Sequence, residues 1–170
     1  MADEQCLFCM IAQNKIQSAK VLDDESCVAF LDIKPASKGH MQIIPKAHAP
    51  IFLDLDEPTR FKIFNIALNI GQTLIKKLGA TGVSYIINEG VGAGQRVAHA
   101  SIHAIPRYDK DEVSISWPDK QMNQEEFIAY RDEVISKVTA KAPSAEKPKE
   151  EKKEKPKEDI KLKPRVPRYW

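Results

Sequence analysis

The run Val97–Arg107 places two imidazoles and a hydroxyl on one side of an extended segment. One face carries Val97, His99, Ser101, His103 and Ile105, and the other carries Ala98, Ala100, Ile102 and Ala104. Imidazole exchanges a proton near neutral pH and can act as nucleophile, base or acid, whereas a hydroxyl needs a base to become a nucleophile. The alternation predicts a half-buried strand that displays reactive groups on its front.

A glycine-rich loop stands directly before this run. The segment Asn88–Gln95 contains three glycines and ends in a side-chain amide. Glycine lets a backbone approach an anion closely, so that its N–H groups can bind oxygens. Glycines alone more often mark a plain turn, but the neighbouring histidines favour a phosphate-binding loop.

The elements that position these groups follow from local patterns. Residues 1–140 are typical of one α+β domain, with a helix start near Cys6, a turn at 23–25 and a second helix at 124–138. Asp56, Pro58 and Gly79 predict the ends of a long helix over 57–77. Extended patterns predict strands over 20–22, 26–31, 40–45, 83–87 and 97–107.

The composition, 42% hydrophobic and 29% charged over 170 residues, is ordinary for one domain plus an appendage. No apolar run approaches the roughly 20 residues of a membrane span, and the acidic start does not resemble a secretory signal. We therefore expect a cytoplasmic protein with no membrane association. The pair Cys6-x-x-Cys9 then suggests metal or redox chemistry, while Cys27, among apolar neighbours, predicts a small core residue.

The net positive charge lies in the C-terminal part of the chain. Residues 141–170 carry 11 lysines and arginines against 6 acidic residues, and residues 1–140 carry 15 against 18. The basic character therefore does not predict a nucleic-acid-binding domain. Residues 141–159 are almost entirely Lys, Glu, Pro and Ala and predict a disordered linker.

The chain ends in a basic, aromatic element over residues 160–170. Its closing Tyr169 and Trp170 predict a contact that shields the rings from water. Either this element folds back onto its own domain or dimer mate, or it docks on a protein partner. Both interpretations remain open at this stage.

Several segments together resemble the histidine triad (HIT) family of nucleotide hydrolases and transferases. They are Gly39-His40-x-x-x-Ile44-Pro45-Lys46-x-His48, Phe30-Leu31-Asp32-Ile33-x-Pro35, the glycine loop and His99-x-Ser101-x-His103, and the likeness runs from residue 6 to 107. The resemblance implies a HIT-like α+β fold: an antiparallel sheet of about five strands, one long helix and a C-terminal helix. It also implies a homodimer.

The resemblance further implies a site for a purine nucleoside monophosphate or a related nucleotide. Gln95 and the amide of Val97 would face the α-phosphate, with Asn88 and Gly94 framing it and Ser101 and His103 opposite. Asp32 would hold the ribose hydroxyls. An apolar slot for the base, or alternatively plain core, is predicted from Leu7, Phe8, Leu22, Phe30 and Ile33.

By the same resemblance, four residues would bind a structural Zn²⁺: Cys6, Cys9, His48 and His99. Two thiolates and two imidazoles suit a closed tetrahedral zinc site. The alternative is a pair of buried thiols, with His99 held by a hydrogen bond.

The chain departs from the family pattern at one position. The family has His-x-His-x-His, whose middle histidine is the nucleophile, and Ser101 stands there in this chain. Three interpretations stay open: a natural loss of turnover, an introduced inactivating change, or a working variant in which His103 or water acts. The predicted function is accordingly a purine nucleotide-binding protein with weak or no hydrolase activity; the alternative is an active phosphoramidase or phosphohydrolase.

Overall fold

The computed structural model describes residues 5–139 and contains one five-stranded antiparallel sheet. The strands, in the order β1-β2-β3-β5-β4 across the sheet, are β1 (Lys20–Asp23), β2 (Cys27–Leu31), β3 (Met41–Pro45), β4 (Gly82–Ile86) and β5 (Ile102–Arg107). The helices are α1 (Leu7–Ala12), α2 (Glu57–Leu78) and α3 (Gln124–Thr139). The predicted α+β architecture is confirmed.

The sheet separates two clusters of buried side chains, because successive strand residues point to opposite faces. On β2, Ala29 packs with Ile63 and Ala67 of α2, whereas Val28 packs with Phe8 and other residues of α1. Cys27, as predicted, is fully buried in the α2-side cluster, and burial raises the pKa of its thiol to about 12.

The predicted strand over 97–107 is wrong in its first half. Pairing with β3 and β4 begins at Ile102, and the preceding residues form bends whose backbone bonds go elsewhere. The N–H of Ala100 donates to Ala49 O at 2.7 Å, and that of His99 donates to Val97 O at 2.7 Å. These contacts turn His99 away from the side chains that follow it, so that one run supplies two different clusters.

Helix α2 has the predicted ends. The Asp56 carboxylate accepts a hydrogen bond from Thr59 N–H at 3.1 Å, and Gly79 ends the helix with φ +76°. The buried face carries Ile63, Ala67, Gly71 and Leu74, while the outer face exposes the apolar side chains of Phe61, Leu68, Ile75 and Leu78.

Gly71 allows β4 to pack closely on α2. A Cβ added at Gly71 would lie 1.7 Å from Tyr85 Oη, which donates to Ala67 O at 3.2 Å. Alanine is normally favoured over glycine in a helix. We expect Gly71→Ala instead to lower the free energy of unfolding by about 1–3 kcal/mol, because Tyr85 must leave its place.

Urea denaturation of Gly71→Ala measures this loss. Gly82→Ala is the matched control, since a Cβ there meets Arg107 Cβ only at 3.9 Å. Adding Tyr85→Ala should abolish the penalty of the Gly71 change. A Gly71→Ala variant as stable as the parent would contradict the close contact.

A second compact unit begins at Trp117 and includes α3, whose apolar side chains Phe127, Tyr130 and Val138 are exposed. Within the described residues, none of the helices combines the length and apolar character that crossing a bilayer requires. The predicted linker over 141–159 and the element over 160–170 lie outside the described residues, and the domain boundary at residue 140 stays a prediction.

Candidate functional site

A cleft of about 470 Å³ opens beside β3 and β5, where the glycine loop faces the segment after β2. It brings together all seven residues predicted to bind a nucleotide: Asp32, Asn88, Gly94, Gln95, Val97, Ser101 and His103. Of the predicted apolar slot, Leu7, Phe8 and Ile33 line the cleft. Phe30 instead lies in the α1-side core, and Leu22 lines a separate hollow beneath α2.

The glycine loop is held in shape by the Gln95 side chain. Gly90 and Gly94 both have φ +87°, on either side of a single 3₁₀ turn over Val91–Ala93. Gln95 Oε1 accepts from Gly90 N–H at 2.7 Å, and its Nε2 donates to Pro50 O at 2.7 Å. Gln95 thus fixes the loop through backbone contacts, a role that its sequence position alone did not indicate.

A hydrogen-bonded pair of imidazoles lines the cleft. His40 Nε2 lies 3.0 Å from His103 Nδ1, and His40 Nδ1 accepts from Ala36 N–H at 3.1 Å. Because Nδ1 of His40 is an acceptor, a neutral His40 carries its proton on Nε2 and donates it to His103. His103 therefore accepts at Nδ1 and bears its own N–H on Nε2.

Burial favours the neutral form of both rings. Desolvation lowers the pKa of His40 against the opposing effect of Asp32, and desolvation together with His40 lowers the pKa of His103. In this state His103 Nε2 is a donor that can bind a phosphate oxygen, and it cannot accept a proton. No role for His40 was predicted from the sequence, where the available signal was that the chain has only four histidines.

The Asp32 carboxylate is held at the cleft wall by two hydrogen bonds and lies close to a third group. Its Oδ1 accepts from Lys34 N–H at 2.8 Å, and its Oδ2 accepts from Gln42 Nε2 at 2.7 Å and lies 3.9 Å from His40 Nε2. A carboxylate fixed in this way can accept hydrogen bonds from a vicinal diol. Gln42 was not predicted; its register opposite His103 places the two side chains on the same face.

Ser101 lies between the glycine loop and His103 and is half-buried. Within residues 5–139, its hydroxyl has no hydrogen-bond partner, and the neighbouring His103 carries a proton on Nε2. A serine becomes nucleophilic only when a base takes its proton. The cleft can therefore bind an anion through donors, but it lacks an activated serine.

A separate cluster joins the four predicted metal ligands. Cys6 Sγ lies 3.4 Å from His99 Nδ1, and Cys9 Sγ lies 3.3 Å from His48 Nδ1 and 3.6 Å from His99 Nδ1. In a tetrahedral zinc site, sulfur and nitrogen ligand atoms lie about 3.5 Å apart. The donor set and its spacing thus fit a metal ion held between α1 and the sheet.

The outer hydrogen bond of His99 also suits a metal ligand. His99 is fully buried and donates Nε2–H to Pro45 O at 3.0 Å, which leaves the lone pair of Nδ1 directed at the cysteines. Burial lowers the pKa of His99, with the Pro45 bond opposing it and His48 adding to it. A neutral imidazole with this tautomer is the form that binds metal.

The cleft residues Asp32, His40 and His103 also cluster within ligand distance of one another, but their hydrogen bonds do not suit a metal ion. The N–H of Ala36 already occupies His40 Nδ1, so a neutral His40 must keep its proton on Nε2. A nitrogen that carries a proton has no lone pair for a metal. The two clusters therefore differ in chemistry. His99 of the Cys/His cluster has the tautomer of a metal ligand, whereas His40 and His103 form a hydrogen-bonded pair in which His40 keeps its proton on Nε2.

Comparison with known proteins agrees with this architecture. The HIT domain model matches residues 13–110. An adenosine 5′-monophosphoramidase of Schizosaccharomyces pombe is 32% identical over 78% of this chain and 98% of its own length. A HIT family member from Bacillus subtilis covers 84% of this chain and 100% of its own, with 30% identity and a TM-score of 0.72.

A Zn-bound histidine triad family protein from Mycobacterium smegmatis is also similar in structure, with a TM-score of 0.60 and 27% identity over 81% of this chain and 98% of its own. The residues that the HIT domain model matches include the cleft lining apart from Leu7 and Phe8, and they include His48 and His99 of the Cys/His cluster but neither Cys6 nor Cys9. The family match covers more than half of the sequence. This chain belongs to the HIT domain family.

Proposed function

We propose that this chain is a purine nucleotide-binding HIT protein with weak or no hydrolase activity. The observation that carries the proposal is a cleft that keeps its anion donors but has Ser101 where a nucleophilic imidazole is expected. Binding needs only the donors, whereas turnover needs a group that attacks phosphorus.

In this proposal each wall of the cleft recognises one part of the nucleotide. The backbone N–H of Val97 binds the α-phosphate, with Asn88 and Gly94 beside it and Gln95 holding the loop. Ser101 Oγ–H and His103 Nε2–H donate to the remaining phosphate oxygens. Asp32 accepts the ribose hydroxyls, and the base lies against Leu7, Phe8 and Ile33.

The positions of the protons on His40 and His103 support the proposal that turnover is weak. His103 is the nearest base to Ser101, but its Nδ1 accepts from His40 and its Nε2 bears a proton. A phosphoserine ester would also hydrolyse more slowly than a phosphohistidine, because the P–N bond is the more labile. Serine at this position therefore does not substitute for histidine.

The alternative function is an active phosphoramidase or phosphohydrolase of AMP derivatives. It is favoured by the likeness to the yeast adenosine 5′-monophosphoramidase and by His103, whose Nε2–H can donate a hydrogen bond to the phosphate group. In this alternative, water is the nucleophile, or the serine is an inactivating change of an active enzyme.

We also propose that the Cys/His cluster holds a structural zinc through Cys6, Cys9, His48 and His99. The bound ion supplies Lewis-acid charge that keeps both thiols ionised and takes no part in the reaction. These ligands fasten α1 and the loop after β3 to the segment that precedes Ser101. Reduced thiols are consistent with a cytoplasmic protein.

We propose that the chain forms a homodimer through the outer face of α2 and the edge strand β4. The apolar side chains there are unusual on a monomer surface: Phe61 and Leu78 are each 61% exposed, and Leu68 is 57% exposed. A second copy presenting the same face would cover them. Sedimentation equilibrium of Leu68→Glu against the parent measures whether this face carries the association.

Nucleotide binding tests the proposed function directly. AMP should bind with a dissociation constant in the micromolar to millimolar range, since the loop donors do not depend on position 101. Asp32→Ala should weaken AMP about tenfold by removing the diol acceptor, whereas Asp109→Ala, an exposed acid outside the cleft lining, should not. Titration calorimetry that detects no binding at millimolar AMP would refute both candidate functions.

A further inference from the structure

Two cations line the cleft and were not predicted as site residues. Arg96 directly follows the pinned glycine loop, and Lys34 lies in the segment after β2. Both side chains are exposed, and within the described residues neither makes an ion pair. By contrast Lys20, Lys46, Lys62 and Arg107 all have acidic partners.

The cleft has little acidic charge to balance these cations. Asp32 is the acid among its lining residues, and that carboxylate already accepts two hydrogen bonds from the protein. Burial lowers the pKa of both lining imidazoles, His40 and His103, which favours their neutral forms. The cleft lining therefore carries an excess of positive charge.

Each cation comes from a different loop, and both loops are fixed. Gln95 closes the glycine loop immediately before Arg96, and the Asp32 carboxylate holds the backbone N–H of Lys34. The two side chains are thus attached to positioned backbone, and within residues 5–139 their charged ends make no ion pair. Exposed cations that make no ion pair are suited to an anionic group of the ligand.

We propose that Arg96 and Lys34 form an anion subsite next to the α-phosphate site and select nucleotides with a second phosphate. The inferred ligand class is a nucleoside diphosphate or longer polyphosphate, in preference to a monophosphate joined to a cationic amine. This inference rests on the proposed nucleotide-binding function and adds the chemistry of the group beyond the α-phosphate. A second phosphate brings further negative charge to both cations, whereas a protonated amine is repelled by them.

Competitive titration with a fluorescent nucleotide tests this subsite. AMP, ADP and a phosphoramidate of AMP with a diamine, whose second amine is protonated, are compared at low salt without divalent cations, in the parent, Arg96→Gln, Lys34→Gln and the double variant. In the parent, ADP should bind about tenfold tighter than AMP, and the phosphoramidate should bind more weakly than ADP. The double variant should bring the ADP-to-AMP ratio close to one.

Lys76→Gln is the matched control, because it removes one exposed positive charge from α2, outside the cleft lining. It should keep the parental ratio. Raising the salt concentration should reduce the ADP preference in the parent more than in the double variant. These outcomes together support the subsite.

Two results overturn the inference and are distinguishable. Equal binding of AMP and ADP by the parent, or an ADP preference that survives in the double variant, refutes the subsite and leaves the proposed nucleotide binding intact. Absence of binding for all three ligands at millimolar concentration refutes the proposed function and the subsite with it.

Discussion

Ser101→His should raise the hydrolysis of an adenosine phosphoramidate by at least about 100-fold. Position 101 lines the cleft together with His103. An imidazole at this position would therefore face the phosphorus atom of a bound nucleotide. The ring needs no base, because neutral imidazole has a free lone pair near pH 7. Release of AMP, followed by chromatography, gives the rates.

Two variants separate the possible origins of this gain. Ser101→Ala should be as slow as the parent if the serine takes no part in attack. Adding His103→Ala to Ser101→His should remove much of the gain, since the reacting phosphate group then loses a hydrogen-bond donor. A parent that is already as fast as Ser101→His would show that another nucleophile works, and the proposed loss of turnover would be wrong.

Cys9→Ser should lower both the zinc content, from about one ion per chain, and the melting temperature by about 10 °C. Cys9 Sγ contacts both histidines of the cluster and is almost completely buried. Replacing its thiolate with a hydroxyl removes a strong ligand and leaves a buried group poorly paired. Elemental analysis and thermal unfolding of reduced protein measure the two effects.

Cys27→Ala is the control for losing a buried thiol, since Cys27 lies in the α2-side core outside the metal cluster. It should reduce stability but keep the zinc. A strong chelator should lower the melting temperature of the parent and of Cys27→Ala, and it should have little further effect on Cys9→Ser. A folded, reduced parent that contains no zinc would refute the assignment.

Local sequence patterns were sufficient for most of the fold. Asp56 and Gly79 define α2 because capping involves residues within one turn of the helix end. The strands over 20–22, 26–31, 40–45 and 83–87 were predicted from strand-like segments, which are also a property of neighbouring residues. Seven of the cleft residues were implied by the family resemblance, and the structure brings those seven together.

The same patterns misjudged features that depend on distant contacts. Alternation from Val97 to Ile105 could not show that pairing starts only at Ile102, because strand pairing requires a neighbour from another part of the chain. In α2, the spacing of apolar residues likewise predicted one helix with several apolar positions, but it did not show which of them are buried. Only packing on the sheet separated buried Ile63 from exposed Phe61.

By itself, the sequence determined the residue types that can do chemistry here: two thiols, four imidazoles, a hydroxyl and a glycine loop. The tertiary structure alone decided how the imidazoles are used. His99 donates to Pro45 O and so presents a lone pair to the cysteines, whereas His40 accepts from Ala36 N–H and so must donate to His103. The position of a proton on a ring depends on its hydrogen-bond partner, and for His99 and His103 the partner comes from a distant segment of the chain.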